Sequence, residues 1–406
     1  MKLICAFVVL LVAATMRAAE IDDFFDRLDS ALTVTAFQDN LRARLSGTVD
    51  LEYYHFDQPP LGLIDSKIDN LFNPRLTLFL DAQIGSRIYF FAQSRLDRGF
   101  DPSDHGAQVR LDEYALRVTP WDDGRFMLQV GQFATVVGNW VPRHLSWDNP
   151  FIDAPLVYEN VTAISDKSAP ASPADFINRF DGAKYEFSSV IWGPNYASGL
   201  SISGRLGQFD YAAEMKNTSL SARPESWYVT TIAFEQPTFS GRVGFRPNEM
   251  WNFGFSVSDG PYFRPEAGPT LPPGRDIDDY RELVLGQDAG FAWHHLQVWA
   301  EFYEARFEVP RVGDADTFAY YIEAKYKFAP QFFGALRWNQ QLFGQIDAGK
   351  LGQTQWGQDL GRIDCAAGYR LTAHTQLKLQ YSFQQETSGP HKEQNNLIAA
   401  QLTVRF

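Results

Sequence analysis

The stretch Asn395–Phe406 reads "NNLIAAQLTVRF". Counted backwards by twos, Phe406, Val404, Leu402, Ala400 and Ile398 fall on one face, and Arg405, Thr403, Gln401 and Ala399 on the other. A period of two belongs to a β-strand. An apolar face needs a cover, yet the chain stops in mid-strand on an aromatic residue. The pattern fits a strand whose oily face meets lipid and whose polar face meets water, closing a cylinder against the first strand of the chain. Taken alone, the segment also reads as an ordinary amphipathic edge strand.

The opening "MKLICAFVVLLVAATMRAAE" begins on the cation Lys2, runs apolar from Leu3 to Ala14 and ends in the small residues Ala18 and Ala19. It reads as a secretory signal peptide over residues 1–19, too short for a membrane-spanning helix. Arg17 fits poorly before a cut at Ala19, which leaves a cut nearer Ala14 as the alternative. No later stretch reaches the roughly 20 unbroken apolar residues of a spanning helix, so entry into a membrane requires a barrel. Cys5 leaves with the leader and Cys365 then has no intramolecular partner, which excludes disulfides and Cys metal sites. Loss of Lys2 and Arg17 subtracts two positive charges from a net charge of -13. Such an acidic export product is a poor ligand for nucleic acid. A content of 45% hydrophobic and 15% aromatic residues without long apolar runs suits half-exposed strands tipped with interfacial rings.

The two-residue period recurs along most of the chain. "RLTLFLDAQIG" sets Leu76, Leu78, Leu80, Ala82 and Ile84 against Arg75, Thr77, Asp81 and Gln83, and "TQLKLQYSFQQ" sets Leu377, Leu379, Tyr381 and Phe383 against Lys378, Gln380, Ser382 and Gln384. Tight connections are expected at 85–86, 120–124, 207–208, 247–249, near 293, 329–331 and 372–374. Long ones are expected at 57–73, 100–108, 136–198, 218–238, 260–280, 310–316, 343–359 and 387–394. This alternation predicts an all-β, transmembrane, antiparallel up-and-down barrel of sixteen strands over residues 44–406, with short periplasmic turns and long external loops. Counting "AKYEFSSVI" and "WYVTTIAFE" as strands gives eighteen, the alternative. A soluble sandwich or propeller is the other reading of many short strands, but no repeat of fixed length is present. Residues 20–43 form a periplasmic lead-in or plug in which "IDDFFDRLDSAL" makes one or two helical turns.

The third external loop, 136–198, is the longest, and a loop of that size is usually functional. Its aromatic and proline content points to a packed segment folded inward, where Arg143 and His144 oppose Asp148, Asp153 and Glu159 across a constriction; simple solvation of an outer loop is the alternative. The lumenal faces carry Arg75, Arg95, Arg117, Arg205, Arg242, Arg337, Lys325, Lys327 and Lys378, interspersed with Asp81, Glu113, Asp210, Glu214 and Glu323. Cationic rings favour anions, whereas a mixed wall fits a wide, weakly selective, water-filled pore.

"VGQFATVVGNW", with Val130, Gly131, Gln132 and Phe133, resembles an element of the phosphate-selective and related outer-membrane porins, where a strand ending in Gly-Gln-Phe leads into the inward-folded third loop. Phe406 resembles the signal by which the outer-membrane assembly machinery selects barrels. The resemblance implies a bacterial outer-membrane homotrimer, in contact with outer-membrane lipids, with a cationic pore wall; the intermingled carboxylates depart from the strictest anion-selective members. The sequence therefore points to a porin passing ions and small hydrophilic solutes, with a substrate-preferring (anion, phosphate or sugar) channel as the alternative and a non-conducting structural or adhesion barrel, or a barrel enzyme, as the second. No nucleophile elbow, zinc motif or phosphate loop is present. The adjacent His294 and His295 fall at a turn. No catalytic residue, metal or cofactor is implied.

Overall fold

The computed structural model describes residues 18–98, 106–179, 184–227, 234–388 and 393–406. Of the leader expected at residues 1–19, residues 1–17 lie outside the described residues, and Ala18 and Ala19 belong to a helix, α1, over Ala18–Ala31.

Sixteen antiparallel strands close into a ring. In chain order they are β1 Leu41–Phe56, β2 Asn70–Ile84, β3 Ile88–Asp97, β4 Gln108–Val118, β5 Met127–Phe133, β6 Ala197–Leu206, β7 Phe209–Lys216, β8 Thr238–Phe245, β9 Trp251–Pro261, β10 Arg281–Trp293, β11 Leu296–Val309, β12 Gly313–Lys327, β13 Phe332–Phe343, β14 Leu360–Arg370, β15 Thr375–Glu386 and β16 Gln394–Arg405. Each pairs with its sequence neighbours. The ring shuts where β16 meets β1, with Arg405 opposite Thr48 and Leu397 opposite Phe56. Phe406 and Gly47 then exchange a pair of backbone hydrogen bonds, both 3.0 Å. A closed ring leaves no backbone group unpaired at an edge, the condition hydrocarbon imposes on any sheet within it.

The alternation survives in three dimensions. On β16, Gln401 and Thr403 are fully buried while Ile398 is 54% exposed; on β15, Lys378, Gln380 and Ser382 are buried while Leu379 and Tyr381 are exposed. Polar side chains therefore fill the interior and apolar ones clothe the outside. A register shift between Gln93 and Ser94 inserts Asp112 as an extra residue in β4. This bulge turns Asp112 and Glu113 to the same, lumenal side, where strict alternation would send one of them outward.

Three expectations need correction. Residues 184–191 of "AKYEFSSVI" make a short 3₁₀ turn at Lys184–Glu186 followed by irregular chain, not a strand; "WYVTTIAFE" lies mostly at 228–233, outside the described residues. The expected long connection at 310–316 is a three-residue turn between Val309 and Gly313, because β11 and β12 continue as a hairpin with Arg311 at φ 65°. The first barrel strand starts at Leu41 rather than 44. Ahead of it, a short strand at Thr33–Ala36 pairs with Leu41–Arg44 outside the ring. Helix α1 rests against the β14–β15 turn, where the ring of Phe25 stacks on His374 with centroids 5.4 Å apart, and Asp29 pairs with Arg44 at 2.6 Å.

Candidate functional site: the inward loop and the wall that holds it

The described parts of the connection between β5 and β6, 134–179 and 184–196, pack against the inner face of the ring. Val137, Trp140, Val157, Tyr158 and Ile164 of the loop form an apolar cluster with Tyr303 and Phe307 of β11 and Tyr321 of β12. The lumenal face of those strands offers rings where the loop brings apolar side chains, so burying them supplies the drive to fold inward. The loop enters through Gly138, at φ 80°, where a Cβ would stand 2.2 Å from the Tyr303 hydroxyl. Only glycine fits there.

Polar wall residues then pin the loop backbone. The Glu301 carboxylate accepts from the backbone N–H of Asn139, from that of Trp140 at 2.9 Å and from the Tyr158 hydroxyl at 2.7 Å. Lys378 donates to the carbonyls of Ser146, Asn149 and Phe151 at 2.7, 3.0 and 3.0 Å. Gln380 accepts from Ile152 N–H at 2.6 Å and donates to Asp153 at 2.6 Å. At the loop's start, Glu113 accepts from Ala134 N–H at 2.7 Å, and Lys216 donates to Phe133 O at 2.6 Å. Buried backbone groups demand partners, and a loop inside a barrel finds them only on the wall.

The constriction residues divide into four groups. Asp153 and Glu159 enter a buried ion cluster on β13 and β14: Arg337 meets Asp153 at 2.6 Å and Asp364 at 2.8 Å, while Arg362 meets Glu159 and, at 3.1 Å, Asp364. Two guanidinium groups face three carboxyls there, and burial with the neighbouring Asp153 pushes Glu159 up to about 7. Arg143 pairs with Glu323 at 2.5 Å, its guanidinium lying 4.3 Å over the Trp299 ring. His144 bonds the Tyr196 hydroxyl at 2.6 Å, and burial lowers it to about 4, so the ring is neutral. Asp148 is exposed and forms no ion pair among the described residues. The expected field of Arg143 and His144 against the three acids is therefore not assembled. Arg143 spends its charge on the wall, His144 carries none, and Asp153 and Glu159 face Arg337 and Arg362.

Wall residues scatter similarly. Arg75 pairs with Glu52 at 2.6 Å and Asp50 at 3.2 Å; Arg95 pairs with Asp112 at 2.9 Å. Arg110, beside them, meets Asp97 at 3.2 Å. Toward the short-turn end, Arg117 lies 4.2 Å over Phe91 and Arg242 bridges Asp210 and Asp288, both at 2.8 Å, while Arg205 bonds the carbonyl of Gly207 at 3.1 Å. Lys325 sits 4.3 Å over Phe333; Lys327 is exposed. Arg110, Glu301, Arg362 and Asp364 were missed by the sequence reading. Alternation within "LGRIDCAAGYR" and "VWAEFYEARF" was the signal that would have found the last three.

The loop leaves space at both ends. Toward the short turns lies a cavity of about 760 Å³ lined by Arg205, Arg242, Arg246, Asn248, Asn252 and Trp299. Toward the long loops lies one of about 670 Å³ lined by Asn160, Asn178, Lys184, Gln355 and Glu386. Between the loop and the wall near β1–β4 is a smaller cavity of about 130 Å³ that includes Arg75, Arg95 and Arg110.

No model of a known protein family matches the sequence, nor does any curated protein. Solved structures do match. OmpF of Salmonella typhi in complex with daunomycin superposes with a TM-score of 0.57 at 11% identity, over 92% of this chain and 100% of that one. OmpT, an outer membrane protein of Vibrio cholerae, gives 0.56 at 9% identity over 92% and 99%. An anion-selective porin from Comamonas acidovorans gives 0.54 at 11% identity over 90% and 100%. At such identities the likeness is one of fold, and the chain has the general porin architecture.

Proposed function

We propose that the protein is a passive channel of the bacterial outer membrane, exported through the periplasm, through which ions and small hydrophilic solutes diffuse. The observation that carries this reading is the pair of cavities, about 760 and 670 Å³, each with charged and amide side chains in a mixed lining, on either side of a loop pinned inside a barrel with an apolar exterior. A barrel serving only as a scaffold has no need of buried carboxylates and lysines to hold a loop across its bore. No catalytic step and no cofactor belong to the proposal.

Weak charge selectivity follows from the pairing of the lumenal arginines with carboxylates. The phosphate-selective alternative draws on Arg75, Arg95 and Arg110 standing close together, and it is the less favoured because Asp50, Glu52, Asp97 and Asp112 surround them. Assembly as a homotrimer, and recognition of Phe406 by the barrel assembly machinery, are part of the same reading, as is a lipid annulus around the exposed leucines and aromatics.

Purified protein in a planar bilayer is expected to give stepwise, ohmic conductance. Absence of open-channel steps from correctly folded protein refutes the reading in favour of a non-conducting barrel. Reversal potentials across a salt gradient then read the sign of selectivity.

A further inference from the structure

The cavity of about 130 Å³ between the inward loop and the β1–β4 wall differs in character from the two larger ones. Its lining combines the aliphatic Leu61, Leu63 and Ile64, the indoles of Trp140, Trp192 and Trp227, and the three arginines. Trp140 is 4% exposed, Trp227 8% and Gln401 1%. The indole N–H of both tryptophans and the amide oxygen of Gln401 have no hydrogen-bond partner among the described residues. Gln401 also lines the cavity, and its amide nitrogen is already committed to Glu52 at 2.6 Å, which fixes the oxygen as the open acceptor.

Charge narrows the class of occupant. Arg75, Arg95 and Arg110 face Asp50, Glu52, Asp97 and Asp112 behind the lining, three cations against four carboxylates, and the two acids in the lining itself, Asp153 and Glu159, are taken up by Arg337 and Arg362. An added anion meets an excess of negative charge. A cation meets the three guanidinium groups of the lining as well as two indole N–H groups, which can only donate. A neutral solute escapes both penalties. It must accept from two indoles and donate to one amide oxygen, which hydroxyl groups do, and it must present an apolar face to the indole rings and the leucines. The volume, about 130 Å³, is close to the roughly 150 Å³ that takes up a single six-membered ring, which admits one hydroxylated ring and is too little for an oligosaccharide.

We infer that this cavity is a subsite for a neutral, cyclic polyhydroxylated solute of monosaccharide size. The inference rests on the channel reading of the lumen but is tested apart from it, by binding rather than by current. D-glucose, sodium phosphate and sodium benzoate are titrated into the detergent-solubilised full chain by calorimetry. Saturable glucose binding is expected, weaker by about tenfold in Trp140→Phe and in Trp227→Phe, each of which keeps an aromatic ring and removes the N–H. Trp121→Phe, at an exposed short turn, is expected to bind as the parent does. Heat-modifiable mobility on gels establishes that each variant is a folded barrel, and one folded variant of the two suffices. Absence of saturable glucose binding, phosphate or benzoate binding more tightly than glucose, or unchanged affinity in a folded Trp variant overturns the inference. A protein that binds glucose as described yet shows no conductance refutes the channel and leaves the subsite standing.

Discussion

Replacing Lys378 with Met tests whether the wall holds the loop. The ammonium of Lys378 is 1% exposed and donates to three loop carbonyls, Ser146, Asn149 and Phe151. Methionine keeps much of the volume and removes every donor. A hydrogen bond to a charged group contributes roughly 1.5–3 kcal/mol, and a buried acceptor left unsatisfied costs about 1–3 kcal/mol. Against three such losses stands the relief of no longer burying a charge, which offsets a good part of them. A net weakening of loop docking by about 3 kcal/mol is the reasonable middle, and at 1.4 kcal/mol per tenfold that is roughly a 100-fold rise in local opening. The amides to watch are Phe151, bonded to Asn149, and Ile152, bonded to Gln380. Hydrogen exchange reads their opening directly. Exchange at 151–152 is expected to accelerate about 100-fold while strand amides on β10–β13 keep their protection. If exchange at Phe151 and Ile152 does not change in a folded K378M barrel, the lysine is a passenger and the wall-pinning argument fails.

Closure is tested at Gly47, where a Cβ would lie 2.7 Å from the Phe406 ring and 2.8 Å from Thr77 O; Gly47→Val is expected to destabilise the β16–β1 seam by about 1–3 kcal/mol, seen as a lower urea midpoint, and an unchanged midpoint refutes the close fit. His144, held near 4, stays neutral in the docked loop while the released loop takes a proton below about 6.5. The released state binds more protons, so docking weakens as pH falls from 6.5 toward 4, by up to about 3 kcal/mol; protease sensitivity of the loop is expected to rise over that window, and His144→Gln is expected to flatten the dependence. Removing one cation from the Arg75, Arg95 and Arg110 group through Arg95→Gln leaves Asp97 and Asp112 in larger excess, so the reversal potential in a potassium chloride gradient is expected to move toward cation preference. An unchanged potential places Arg95 outside the conducting path.

The barrel was legible because its signal is local. Alternation at Leu377–Gln384 or Ile398–Phe406 requires only that neighbouring side chains point opposite ways, which holds in any strand, and the contrast between lipid and water supplies the chemistry. The errors arose where that rule breaks. The Asp112 bulge turns two consecutive acids inward, so alternation picks out Glu113 and passes over Asp112, and the β11–β12 hairpin outruns the expected 310–316 loop because strand pairing continues beyond the apolar zone. Inward folding of the loop was also readable, from its length and from its tryptophans and prolines.

Which charges meet was not readable. Arg337 and Asp153, or Arg143 and Glu323, lie far apart in sequence and come together only once the ring has closed and the loop has chosen its path across it. Composition named the cations and acids of the lumen, and period two placed them on its wall. Only the tertiary structure decided that most of them are spent on each other or on loop carbonyls, because an ion pair depends on distances of a few ångströms across the bore, and sequence order carries no such distance.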